Sequence, residues 1–146
     1  MSPEAESSVG GALVVDASVA LDWIFRSERS ERANRVLEQG LERGMVVPAI
    51  WPAEVANGLL TAQRRGKLKP EDLPGALALF EELPVSIPAP GGVAAIRILV
   101  DAGQSASLTA YDAAYLELAL RESAPLATHD EALRSAAERA GVELFV

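Results

Sequence analysis

Hydrophobic positions along the chain fall into two alternating rhythms. Leu13, Val14 and Val15 form a short apolar run that ends at Asp16, and Val19, Ala20, Trp23 and Ile24 then recur at helical spacing, which predicts a strand followed by a helix. Ala33, Val36, Leu37 and Leu41 continue with a period near 3.6 until Gly44, and Met45 to Val47 is a second β-rich run closed by Pro48. Pro52 suits a first helical turn, where its missing N–H is not needed, and Val55, Ala56, Leu59 and Leu60 line one face of the helix that Gly66 closes. Leu73, Leu77, Phe80 and Leu83 predict a further amphipathic helix, and Val85 to Ile87 a weak third strand before the breaker Pro88-Ala89-Pro90.

The second half repeats the alternation. Val93, Ile96, Leu99 and Val100 read as helix and Gly103 to Ser107 as loop. Tyr111, Ala114, Tyr115, Leu118 and Ala119 pattern the next helix. Leu126 and Ala127 form a short strand before Thr128-His129-Asp130, Leu133, Ala136 and Ala137 a last helix, and Val142 to Val146 a last strand beyond Gly141. Strands alternating with helices predict a mostly parallel sheet of about five strands covered on both faces, an α/β fold.

Composition narrows the chemistry. A chain of 146 residues with 49% apolar residues suits one packed domain, expected over 12–146. Residues 1–11 carry Pro3, Glu4, Glu6, Ser7 and Ser8 but no basic stretch leading into an apolar core, so they are expected to form a disordered leader and not a signal peptide. The absence of cysteine removes disulfides, zinc-thiolate sites and thiol nucleophiles and is compatible with a reducing cytoplasm; no apolar run reaches membrane-spanning length. The formal charge of -8 counts against a polyanionic ligand.

Ligands of open α/β sheets bind beyond the carboxyl ends of the strands, and Asp16 and Asp130 both follow strands there. Glu54 falls in the first turn of the helix after the second strand, and Asp112 near the start of the helix that feeds the fourth. Each acid on its own is well placed to cap a helix or complement its dipole. Four carboxylates gathered on one edge would instead repel by about 4 kcal/mol per close pair at an effective dielectric of 20, which calls for a cation or for protonation. All-oxygen ligation suits Mg²⁺ or Mn²⁺, ions that also bind phosphate oxygens.

Val14-Val15-Asp16-Ala17-Ser18-Val19, Glu54-Val55-Ala56-Asn57, Tyr111-Asp112-Ala113-Ala114-Tyr115 and Leu126-Ala127-Thr128-His129-Asp130, in that order and spacing, resemble a VapC-type PIN domain over about residues 12 to 146. The resemblance implies a three-layer α/β/α sandwich. It also implies an acidic metal site of Asp16, Glu54, Asp112 and Asp130, with Ser18, Asn57, Thr109 and Thr128 orienting carboxylates or waters. The implied activity is metal-dependent cleavage of RNA to 5′-phosphate and 3′-hydroxyl ends by the toxin of a toxin and antitoxin pair. The implied partners are RNA, a cognate antitoxin and a second copy of the chain in a homodimer, with no membrane. The alternative is a PIN-fold module that binds protein or RNA without cutting.

Arg64, Arg65, Lys67 and Lys69 make a local basic strip that could hold the RNA backbone or be a solvated helix end. His129, the only histidine, is expected to be a solvent-exposed neighbour of the site, and Trp23, Phe25 and Trp51 to pack in the core or an interface before they stack on bases. Other acid-at-strand-end folds fit less well. Val85-Ser86-Ile87-Pro88 offers no phosphoacceptor carboxylate for a receiver domain, and Ser18 stands where a haloacid-dehalogenase-like phosphatase needs a second Asp. No Gly-x-Ser-x-Gly elbow supports a serine hydrolase, and Leu68 after Gly66-Lys67 breaks a P-loop.

Overall fold

The computed structural model describes residues 11–25 and 27–145. The expected leader falls almost wholly outside these residues, as does Val146 at the end of the expected last strand. Strands β1 (Leu13–Val15), β2 (Met45–Val46), β3 (Val85–Ser86) and β4 (Leu126–Ala127) form one parallel sheet in the order β3-β2-β1-β4. Helices α1 (Ala17–Leu21), α2 (Ser30–Arg43), α3 (Trp51–Arg64), α4 (Leu73–Glu81), α5 (Ala94–Ala106), α6 (Ala110–Glu122) and α7 (Glu131–Ala140) connect and cover it, with a 3₁₀ turn at Pro70–Asp72. The fold is the expected α/β arrangement.

Side chains alternate faces along a strand, and the two cores follow that period. Leu13 and Val15 point to one face with Met45 and Ala127, their partners in register, and pack on Ala33 and Val36 of α2. Val14, paired with Val46 and Leu126, points to the other, where Leu59 of α3, Leu118 of α6 and Leu133 of α7 complete the larger core. Both faces of β1 are therefore dry, which explains why it reads as an uninterrupted apolar triplet.

Three expectations are corrected. The described part of the expected last strand, residues 142–145, makes no full strand: Leu144 alone bridges Leu126, flanked by Leu126 N–H to Glu143 O and Phe145 N–H to Leu126 O at 2.9 Å each, so among the described residues the sheet has four strands and a single-residue extension. The segment Gly103 to Ala106 is helix and not loop; a Cβ at Gly103 would come within 3.1 Å of Leu108 O, so glycine lets the α5–α6 connection fold back closely on the last turn of α5. The helical periodicity from Val19 to Leu41 belongs to two helices, because α1 ends at Leu21 and α2 begins only at Ser30.

Close packing sets the height of the helices against the strand ends. A Cβ on Gly58 would run into the Leu21 side chain, so glycine there lets α3 lie close on α1 and brings the first turn of α3 beside the end of β1. Trp51 is buried, and Trp23 gives its Nε1–H to Ala33 O at 2.8 Å; both rings contact Phe80 of α4, at 6.1 and 6.4 Å between centroids. These aromatics are packing groups, as expected. By contrast α5 buries no residue fully, and Val93, Ile96 and Val100 stand exposed beside it and on it. Among the described residues no helix is long and apolar enough to cross a membrane.

Candidate functional site

The site begins where β1 stops. Asp16 is the last residue before α1 and its N-cap, with Oδ1 accepting from Ser18 N–H at 3.4 Å. Its side chain does more than cap: Oδ2 accepts from Ser18 Oγ at 3.2 Å and from Thr128 Oγ1 at 2.6 Å, and the residue is only 8% exposed. Thr128 follows β4, which pairs directly with β1, so the parallel register sets the two strand ends side by side across 112 positions of sequence. Thr128 is buried, accepts Asp130 N–H at 3.1 Å on the same oxygen, and has its carbonyl held by Arg134 Nη1 at 3.0 Å.

Glu54, in the first turn of α3, is held from the other side. Tyr115 of α6 donates its hydroxyl proton to Glu54 Oε1 at 2.5 Å and accepts Ala17 N–H at 3.3 Å. One buried phenol thus joins α3, α6 and the β1–α1 turn. Periodicity marks Tyr115 as a core position only; the available signal for a second role is its place three residues after Asp112, on the same side of a helix. Burial, the bond to Glu54 and the neighbouring carboxylates drive its ionisation far above the ordinary phenol range, so it acts as a permanent donor.

Asp112 lies in the first turn of α6, where Thr109 caps its N–H at 3.2 Å. Burial raises the Asp112 pKa above its usual value, and the charges of Asp130 and Asp16 raise it further. Glu54 is raised as well, by burial first and by Asp16 and Asp112 in addition, with the Tyr115 hydrogen bond opposing. Asp130 caps α7 through Oδ2 and Leu133 N–H at 2.8 Å, the local role that any helix-starting Asp can play.

Asp16, Ser18, Asp112, Asp130 and Glu131 line one cleft of about 470 Å³ together with Arg29 and His129. Asn57 is exposed on α3, and among the described residues no hydrogen bond ties it to a site carboxylate. Arg64, Arg65, Lys67 and Lys69 are exposed at and after the far end of α3, about 15 Å along the helix from Glu54, so the fold does not bring the basic strip into the acidic cleft. His129 corrects the expectation of a solvent-exposed neighbour. Its side chain is only 4% exposed, with Nε2 2.9 Å from Asp22 Oδ2, and burial followed by the Arg29 charge lowers its pKa against the pull of Asp22.

Among the described residues no three Asp, Glu or His side chains are drawn into a ready-made metal cage. The donor set nonetheless fits a hard divalent cation. It is all oxygen: Asp16, Asp112 and Asp130 line the open cleft, with Glu54 outside that lining, as suits an ion that keeps several waters. Two of its members, Glu54 and Asp112, have pKa values raised by burial first and by neighbouring carboxylate charges in addition, a penalty that a bound cation would offset.

Residues 13–139 match the family model of the PIN domain. Over 124 residues the chain is 36% identical to ribonuclease VapC3 of Pyrobaculum aerophilum, spanning 83% of this chain and 91% of that protein. Among solved structures, the crystal structure of PAE2754 from Pyrobaculum aerophilum superposes with a TM-score of 0.65 over 86% of this chain and 79% of that one; at 19% identity this is a likeness of fold.

Proposed function

The chain belongs to the PIN domain family and is related to the VapC ribonucleases, and from that premise we propose that it is a metal-dependent endoribonuclease, the toxin of a toxin and antitoxin pair. The observation that carries the reading is the double suspension of the acids. Asp16 hangs from Thr128 and Ser18, and Glu54 from Tyr115, so two carboxylates contributed by different elements are locked in orientation before anything binds.

Asp16, Glu54 and Asp112 would hold the cation, Mg²⁺ or Mn²⁺, with Asp130 adding negative charge beside Asp112. When bound, that ion supplies a water activated for in-line attack on phosphorus and positive charge facing the leaving oxygen. Hydrolysis joins the water oxygen to phosphorus, breaks the bond to the 3′ oxygen and passes a proton to it, which leaves 5′-phosphate and 3′-hydroxyl ends. Tyr115 keeps Glu54 aimed and cannot compete as a base, since its proton is held far above physiological pH. Thr128 spends its proton on Asp16, which leaves the carboxylate's remaining lone pairs for the cation.

The partners belong to the same reading. A groove of about 310 Å³ lined by Trp23, Ile24, Phe25, Leu68, Ala76 and Leu79 offers apolar pockets to an antitoxin segment. The exposed Val93, Ile96 and Val100 give a homodimer an apolar face to cover.

The test is cleavage of a mixed RNA pool by the purified full chain in Mg²⁺, in Mn²⁺ and in EDTA, beside the Asp16→Asn variant. Cutting is expected with metal and not with EDTA, and the variant is expected to lose several kcal/mol of barrier reduction, on the order of a thousandfold in rate. Absence of metal-dependent cutting, or equal cutting by the variant, overturns the proposal in favour of a binding-only PIN module.

A further inference from the structure

The acidic cleft contains one arginine, and its placement is built. Asp22, just after α1, puts a single oxygen between an imidazole and a guanidinium: Oδ2 lies 2.9 Å from His129 Nε2 and 3.5 Å from Arg29 Nε. The Asp22 side chain is 9% exposed and that of His129 4%, so the bracket is buried on two of its three members. Arg29 is the exception: its side chain keeps 49% of its exposure while lining the cleft with Asp16, Asp112 and Asp130. The turn that presents it is closed locally, Ser27 N–H to Ser30 Oγ at 2.8 Å and Arg29 N–H to Ser27 Oγ at 3.1 Å.

The chain of contacts continues to the reacting edge. His129 adjoins Thr128, and Thr128 holds Asp16. Arg29 is thus linked to Asp16 through its ion pair with Asp22 and through His129 and Thr128, while half of its side chain stays exposed and lines the cleft. A cleft of carboxylates in a chain of charge -8 repels a polyanion, and the basic strip of Arg64, Arg65, Lys67 and Lys69 sits at the far end of α3. Among the residues lining the cleft, Arg29 is the only one with a permanent positive charge.

We propose that Arg29 is the substrate-positioning cation of this site: its guanidinium, anchored on Asp22, takes a backbone phosphate of single-stranded RNA and seats the strand against Asp16. The proposal rests on the reading of this cleft as the place where RNA is held and cut. A planar guanidinium paired with a buried carboxylate suits a phosphate, which accepts two parallel N–H bonds, better than a flexible lysine would. The same anchorage limits the entropy lost when the strand binds.

The experiment measures binding of a fluorescent single-stranded RNA by anisotropy in EDTA across a salt series, for the full-length wild type, Arg29→Ala and Arg29→Lys, and then cleavage kinetics of the same RNA in Mg²⁺. Arg29→Ala is expected to weaken binding about tenfold, to flatten the slope of log affinity against log salt by about 0.7, and to raise KM more than it lowers kcat. Arg29→Lys keeps the charge and is expected to restore the slope but only part of the affinity. A lowered melting temperature with unchanged slope and KM would make Arg29 a structural brace and overturn the proposal. Wild type that binds RNA with the expected Arg29 dependence but cuts nothing would sink the nuclease reading alone. Wild type that neither binds nor cuts would sink both.

Discussion

The two halves of the acidic edge use the same residue types under different constraints. Asp16 and Glu54 are held by donors from distant parts of the chain, Thr128 and Tyr115, at sequence separations of 112 and 61. Asp112 and Asp130 are placed within their own helix starts, Asp112 by its backbone N–H on the Thr109 cap and Asp130 by its carboxylate on the Leu133 N–H. A capping carboxylate gains its position from local chain geometry and would sit there in many folds. A carboxylate suspended by a buried side chain from another element keeps its position only while the whole sheet is assembled, so its orientation is a property of the fold and is the better guide to function.

The largest effect expected from breaking this contrast falls on the suspended half. Thr128→Val removes the donor to Asp16 Oδ2 and the acceptor for Asp130 N–H while keeping the volume of the side chain. It should cost about 1–3 kcal/mol of stability, visible in urea unfolding, because a buried bond to a charged group is lost. It should also lower cleavage about 10–100-fold. An unaltered rate in a correctly folded variant would deny Asp16 the importance given to it.

Tyr115→Phe should act on Glu54 with less effect on stability, slowing cleavage by about tenfold. It also carries a sign that can be checked. The Tyr115 hydrogen bond lowers a Glu54 pKa that burial raises, so its removal moves that pKa higher still. Because cation binding needs the ionised acid, the acidic limb of the rate profile should move to higher pH in the variant. A limb that stays in place would exclude Glu54 from the titrating group.

A smaller shift separates charge repulsion from packing. Without a cation, the raised pKa values of Glu54 and Asp112 mean that folding favours their protonated forms. Their contribution to stability is therefore fully present below the ordinary carboxylate range and lost as pH rises through the raised values. Mg²⁺ reverses that loss, so its increase in Tm should be larger near pH 7.5 than near pH 5, a difference of a few degrees for a domain of this size. An equal increase at both values would place the ion elsewhere.

The smallest expected change falls on Asp130, the acid whose carboxylate caps its own helix. Asn caps helices about as well as Asp, so Asp130→Asn should leave stability within about 0.5 kcal/mol, whereas Asp130→Ala should cost about 1 kcal/mol. If Asp130→Asn abolishes cleavage as fully as Asp16→Asn, the two halves are equivalent and the contrast drawn between them fails.

The acids themselves are legible in sequence, because each follows a strand or opens a helix, positions that local pattern marks. What holds them is less so. Ser18 and Thr128 donate to Asp16, Thr109 caps a helix, and Asn57 makes no hydrogen bond to the acids among the described residues. Tyr115, a core position by periodicity, is both core and clamp. Tyr111, on the same face by periodicity, is 62% exposed, since an Ala-rich helix gives periodicity little contrast with which to fix its rotation. Local pattern makes His129 exposed, because the residue after a strand usually is; it is covered by Asp22 and the turn to Arg29, segments about 100 positions earlier.

By itself, then, the sequence determined the alternation of strands and helices, the apolar triplet that becomes the central strand, the places where carboxylates follow strands, and the family pattern they share. These are local properties: side-chain period, cap chemistry and turn residues act over a few positions. The tertiary structure alone decided that β4 lies against β1 and sets Thr128 on Asp16, that a phenol spans three elements to reach Glu54, and that Asp22 brackets His129 with Arg29. Those contacts depend on strand order and on the close approach of helices, and no short window of sequence contains both partners.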